Sequence, residues 1–187
     1  IITIVDGTNL TLTPQANWNG QSTITVIVTD GSLPDTTSFV FTVTAVNDAP
    51  VIEQISDQVI DEDTELILTL SASDVDGDDL FFDVYDFVPA WTYNIAGNQL
   101  TLVPPPDFNG DEQFTVVAYD ILGEYNSTQF IVTVNPVNDA PFFTMDTYSD
   151  IVGVTIASSI TLEADDIDFD TLTFDIANNP DWISLAG

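Results

Sequence analysis

The residues of this 187-residue chain that could do chemistry are carboxylates and little else. Asp74-Val75-Asp76-Gly77-Asp78-Asp79 sets four of them within six positions, and Asn47-Asp48 and Asn138-Asp139 each join an amide to an acid. Like charges this close repel one another unless something neutralises them. On the residues alone, two readings of the longer run stand side by side. It is a solvated acidic turn, or it is an oxygen-donor site for a hard divalent cation such as Ca²⁺, which takes about 6–8 oxygen ligands. Gly77 permits the tight turn such a site uses. An EF-hand does not fit, because its twelfth loop position falls in the Tyr85-Asp86 region, read as strand, and no flanking helices are expected.

The charge balance narrows the chemistry further. The chain has 31 Asp plus Glu and no Lys, Arg or His, so its formal charge is −31 at pH 7. No carboxylate can find a cationic side chain, and only dissolved cations can supply positive charge. Phosphate backbones and anionic lipid surfaces demand Lys or Arg, so nucleic acid is not an expected partner. No apolar run approaches the roughly 20 residues of a membrane span, so no membrane insertion is expected either. With no His, Cys or Lys, triads, zinc sites, disulfides and Schiff bases are all out of reach. A glycosidase-type carboxylate pair is the one catalytic option left. The clustered acids read better as ligands, so no enzyme is expected.

Hydrophobic residues still make up 44% of the chain and aromatics 11%, which predicts packed cores. Their spacing is that of strands. Ile24, Val26 and Val28 alternate with polar residues, as do Phe39, Phe41 and Val43, then Leu66, Leu68 and Leu70, Phe114 and Val116, and Phe130, Val132 and Val134. Gly-, Pro-, Asn- and Asp-bearing segments separate these runs, and no stretch sustains a helical period. The fold class is therefore all-β, with Greek-key sandwiches and Trp91 and Trp182 as core aromatics.

The pattern also repeats. Val46-Asn47-Asp48-Ala49-Pro50 returns unaltered as Val137-Asn138-Asp139-Ala140-Pro141, 91 residues later. Asn19-Gly20 matches Asn109-Gly110, Leu10-Thr11-Leu12 matches Leu100-Thr101-Leu102, and Asp74-Val75-Asp76 matches Asp166-Ile167-Asp168. Residues 1–45 thus read as the back half of one repeat, 46–136 as a complete repeat and 137–187 as the front half of a third. Half a sandwich cannot bury its apolar face, so each outer half needs a complement. A window on a longer array supplies one, and is the preferred reading; subunits that complete each other head to tail by strand addition supply another.

Val116-Val117-Ala118-Tyr119-Asp120, then Phe130-Ile131-Val132-Thr133-Val134 and Val137-Asn138-Asp139-Ala140-Pro141, resemble the last two strands and linker of a cadherin repeat. The paired Val-Asn-Asp-Ala-Pro and Asp-x-Asp-Gly-Asp motifs resemble the cadherin-like tandem repeats of large bacterial adhesins. That resemblance implies Ca²⁺ at the junctions between repeats. At the first junction it implies Asn47 and Asp48 from the linker, the Asp74 and Asp76 pair, and Asp120 closing the site. At the second it implies Glu62, Asp107, Asn138, Asp139, Asp166 and Asp168. Ala45 and Pro136 stand where cadherin linkers begin with Asp, Asn109 replaces a Glu, and Asn17 replaces Asp107 in the first repeat, so fewer or weaker ions are expected. Phe169 stands in place of Gly77, so its loop is expected to turn differently.

These readings predict a structural module, a Ca²⁺-stiffened repeat of an extracellular filament or adhesin stalk, contacting neighbouring repeats or subunits head to tail. The alternative is a recognition module that binds carbohydrate or a like domain through Trp18, Tyr85 or Tyr125, or through Thr-bearing strand faces at Thr11/Thr13 and Thr23/Thr25. Two sequons, Asn9-Leu10-Thr11 and Asn126-Ser127-Thr128, could carry glycans where the source has that machinery.

Overall fold

The computed structural model describes residues 2–145, 160–175 and 177, and every regular element among them is a β-strand. The chain opens with two hairpins. β1 (Ile2–Asp6) pairs antiparallel with β2 (Asn9–Thr13), and β3 (Gly20–Thr29) with β4 (Pro34–Val43). The first hairpin turns at Gly7, whose φ of 60° lies in the left-handed region that glycine enters without steric cost.

The middle of the chain builds a sandwich. Its strands are β5 (Val51–Ile52), β6 (Gln58–Asp61), β7 (Leu66–Thr69), β8 (Ala72–Ser73), β9 (Leu80–Tyr85), β10 (Thr92–Ala96), β11 (Gln99–Val103), β12 (Gly110–Asp120) and β13 (Tyr125–Asn135). One sheet runs β6-β13-β12-β9 and the other β10-β11-β7, with β5-β8 as a separate pair. All these pairings are antiparallel except that of β6 with β13.

The period-2 alternation seen in the sequence explains which side chains meet. Leu66, Leu100 and Leu102 from one sheet face Val84, Phe114, Val116, Phe130, Val132 and Val134 from the other, all buried. Full burial of each such side chain is worth about 1.5–3 kcal/mol. Trp91 lies in this core as expected, edge-on to Phe114 at 5.0 Å and to Phe108 at 5.6 Å. Its counterpart Trp182 lies outside the described residues.

Beyond the sandwich, β14 (Phe142–Phe143) pairs with β15 (Ala164–Asp165) as β5 pairs with β8. Glu53 N–H donates to Ser71 O at 2.8 Å, and Thr144 N–H to Glu163 O at 3.1 Å, continuing the two ladders alike.

The first two hairpins likewise copy β10–β13 in register. Ile2↔Thr13 corresponds to Thr92↔Val103, and Ile24↔Phe39 to Phe114↔Phe130. Burial differs. Ile24 and Val26 are half-buried, while Val28 is 66% and Phe39 42% exposed. The matching Phe114, Val116, Ala118 and Phe130 are 0, 0, 0 and 2% exposed. The sheet β3-β4 has two strands where its counterpart has four, so among the described residues nothing equivalent to β6, β7 or β9 covers it.

Candidate metal centres at the two linkers

The first linker is pinned at Pro50, whose side chain is fully buried. This fixes the two residues ahead of it over the loop that follows β8. Asp48 N–H donates to Asp76 Oδ2 at 2.8 Å, and Asp76 N–H donates to Asp74 Oδ1 at 2.7 Å. Asn47 Nδ2 donates to Asp120 Oδ2 at 2.7 Å. Asp120 ends β12, is 2% exposed, and its Oδ1 accepts N–H bonds from Leu122, Gly123 and Glu124 at 2.8, 2.6 and 3.0 Å. The Asn47 amide above all, with those three N–H groups, holds the Asp120 carboxyl below its usual range against the effect of desolvation.

Asp74, Asp76 and Asp78 each turn an oxygen into a space where the three lie within 4.8 Å of one another. Desolvation first, and then the charges of Asp74, Asp120, Asp76 and Asp79, push Asp78 above the ordinary carboxylate range. Gln15, Asn17, Trp18 and Asn19 line a groove together with Asp48 and Asp76. Asn17 takes a left-handed φ of 59°, as its counterpart Asp107 does at 56°.

The second linker repeats this plan. Asp139 N–H donates to Asp168 Oδ2 at 2.6 Å, and Asp168 N–H to Asp166 Oδ1 at 3.0 Å. Asp166 is 4% exposed. From the middle sandwich come Glu62, also 4% exposed, whose Oε1 accepts Val137 N–H, and Asp63, whose Oδ1 accepts Asp107 N–H at 3.2 Å. Glu62, Asp139 and Asp168 present oxygens within 4.8 Å of one another, and so do Asp63, Asp107 and Asp139. Asp139 belongs to both sets. Its pKa is pushed up by desolvation and then by Asp107, Asp168, Asp63 and Glu62.

Because Asp120 ends β12 and Asp107 lies just ahead of its start, the two centres sit at opposite ends of an 11-residue strand, about 35 Å apart at the strand rise per residue.

The structure therefore gathers Asp74 and Asp76 at one end and Glu62, Asp107, Asp139 and Asp168 at the other. Asn47, Asp48, Asp120 and Asp166 brace these groups through hydrogen bonds. Asn138 is exposed and turns its amide to Asp139 O at 2.9 Å. Sequence reasoning left Asp63 out of the site, and it placed Asp78 in the acidic run but not among the named ligands. The run Asp61-Glu62-Asp63 was the signal for the first, and the Asp-x-Asp-Gly-Asp motif itself for the second.

One expectation is corrected. Phe169 does not make its loop turn differently from that of Gly77: its φ is 62° against 81°. The Asp168 N–H bond to Asp166 Oδ1 holds the turn, and the aromatic ring, 92% exposed, escapes any clash by pointing into solvent.

Asp74 Oδ2 and Asp139 Oδ2 are shielded from solvent and accept no hydrogen bond. A buried carboxylate oxygen without a donor is costly. Every donor atom around them is a hard oxygen, and neither His nor Cys exists in the chain, so the residues present fit a hard divalent cation of the Ca²⁺ type.

Residues 47–135 match the bacterial Ig domain family (Big_9). No curated protein matches the sequence. Among solved structures, the EC1-2 fragment of human mucin-like protocadherin is similar with a TM-score of 0.45 and 20% identity, covering 72% of this chain and 78% of that one. The SrpA adhesin of Streptococcus sanguinis gives 0.39 and 16%, covering 54% and 66%. An endo-fucoidan hydrolase of glycoside hydrolase family 107 gives 0.38 and 19%, covering 72% of this chain but 22% of the hydrolase. The chain thus spans about a fifth of that enzyme's length. No helix among the described residues is long and apolar enough to cross a membrane.

Proposed function

We propose that the chain is a structural module: tandem cadherin-like sandwiches, divided at 1–45, 46–136 and 137–187, in an extracellular filament or adhesin stalk, stiffened by Ca²⁺ at each linker. Asp74, Asp76 and Asp78 would hold the ion at the first linker. Glu62, Asp63, Asp107, Asp139 and Asp168 would do so at the second. The ion would supply the positive charge that the polypeptide lacks. The chain's own residues do the rest: Asp48 and Asp139 lock each linker backbone to the following loop, and Asp120 ties Asn47 to the end of β12. The module works by fixing length and angle, so it carries no catalytic residues.

One observation carries this reading. The hydrogen-bonded frame at the first linker, Asp48 to Asp76 to Asp74, recurs at the second as Asp139 to Asp168 to Asp166, and at both it encloses a carboxylate oxygen without a donor. A solvated acidic turn would leave such an oxygen to water rather than shield it without a donor. The bacterial Ig domain match supports the sandwich part of the reading.

Extracellular Ca²⁺ modules bind at about 10⁻⁴–10⁻³ M, a range met outside cells. Small-angle scattering of the chain in millimolar Ca²⁺ and in chelator tests the stiffening. The expected result is a longer, narrower distance distribution in Ca²⁺, whereas identical profiles would contradict it.

A further inference from the structure

We propose that the outer face of β9 is a docking site for an arginine side chain of a partner protein. Phe81, Asp83 and Tyr85 alternate along that face, and β9 is the last strand of its sheet. Tyr119, on the same face of β12, lies opposite Phe81 and stacks with it at 5.6 Å. At the free edge of β9, Tyr93 of β10 donates its hydroxyl to Asp83 Oδ1 at 2.8 Å. One carboxylate is thus set among four aromatic side chains. All five residues belong to the middle unit, whose strands β5–β13 are all described, so the face does not depend on the outer units.

Packing holds this arrangement in place. Tyr93 meets Phe87 edge-on at 5.5 Å, and Phe87 in turn stacks on the core residue Phe114 at 5.8 Å. Val84 N–H donates to Asp83 Oδ1 at 2.8 Å. Desolvation pushes the half-buried Asp83 carboxyl up, but the Tyr93 hydroxyl, the Val84 N–H and the Tyr85 side chain together hold it below its usual range. It is therefore charged at neutral pH. Phe81, Tyr85, Tyr93 and Tyr119 nevertheless remain 37 to 51% exposed, and a contiguous aromatic surface of this kind marks a place where something binds.

Charge selects the occupant. The faces of aromatic rings attract cations, guanidinium most often, and the Asp83 carboxylate calls for the same sign. A guanidinium lies flat on a ring while its N–H groups reach a carboxylate, whereas an ammonium is a compact and strongly hydrated charge. With no Arg or Lys in the chain, neither this molecule nor a second copy of these residues supplies the cation. A sugar would stack on the rings but leave the Asp83 charge uncompensated. None of the linker carboxylates takes part, so failure here would leave the reading of the linkers untouched.

The test titrates the peptide acetyl-Gly-Arg-Gly-Arg-Gly-amide into the full chain in millimolar Ca²⁺ and follows amide chemical shifts. About 0.15 M salt screens general attraction to the chain's charge of −31. Saturable shifts centred on Phe81, Asp83, Tyr85, Tyr93 and Tyr119 are expected. Asp83→Asn and Tyr85→Ala should each weaken binding several-fold, while Glu65→Gln, which removes an exposed charge elsewhere, should leave it unchanged. Equal affinity in all three variants would reduce the effect to net charge and overturn the proposal. So would equal binding of the same peptide with citrulline in place of arginine, or cellohexaose shifting these resonances where the peptide does not.

Discussion

The hairpins β3-β4 and β12-β13 share register and a period-2 apolar pattern, yet the apolar face of β12-β13 is buried and that of β3-β4 is half-buried or exposed. The difference lies in what surrounds them. β12-β13 is flanked by β6 and β9 and faces β7 and β11 across the core, while among the described residues β3-β4 forms a sheet of its own two strands. Pattern and ladder are thus local properties of this sequence, whereas burial is a property of the completed unit, as expected of a repeat whose stability depends on neighbours.

The largest test of that contrast removes a core aromatic. Phe114→Ala should cost the middle sandwich about 3–5 kcal/mol in denaturant unfolding. Ile24→Ala at the matching position in the first unit should cost less than about 1 kcal/mol. Equal costs would break the comparison. Next in size, Asp120→Ala should lower the melting temperature clearly, because it strands three backbone N–H groups and the Asn47 amide. Asp30→Ala should lower it less, since Asp30 makes the same kind of loop bonds to Ser32 and Leu33 at an exposed position.

A smaller effect of opposite sign is expected at the third unit. Phe169→Gly should stabilise its loop by about 1 kcal/mol, because glycine takes a left-handed φ without the steric cost borne by an aromatic residue. Hydrogen-exchange protection of the Asp168 amide reads this, and unchanged protection would show that the turn is not strained.

The smallest effect is a change of slope with pH. Asp78 and Asp139 are held above the ordinary carboxylate range in the folded chain, so the metal-free fold binds more protons than the unfolded chain as acid is added. In chelator, stability should therefore rise as pH falls through these raised values. It should fall again at lower pH, as Asp120, whose folded pKa is depressed, is protonated. In Ca²⁺ the first slope should reverse, since protons then compete with the ion. Parallel melting curves in both buffers would show that these carboxylates are not where the ion sits.

Much of this was legible in the sequence. Alternation at Phe114, Val116, Phe130 and Val132 specified strands, because a one-residue slip would turn every side chain to the other face. The exact repeat of Val-Asn-Asp-Ala-Pro marked the linkers that the structure places beside the Asp-x-Asp loops. What stayed hidden depends on contacts between distant segments. Asp63 joins Asp107 and Asp139 because the loop after β6 folds against the turn before β12; the run Asp61-Glu62-Asp63 marks an acidic segment but not the distant residues it meets. The Phe169 turn was misread for a related reason: residue type disfavours the left-handed region, but the bracing bond to Asp166 outweighs it.

The central claim is that both linkers hold Ca²⁺ through their enclosed carboxylates. Calorimetric titration of Ca²⁺ into the full chain, alone and as Asp76→Asn and Asp139→Asn variants, tests it most directly. Two classes of site should appear, with affinity near about 10⁻⁴–10⁻³ M, and each variant should remove one class and leave the other. A chain that takes up no ion, or one whose binding survives both substitutions unchanged, would contradict the account.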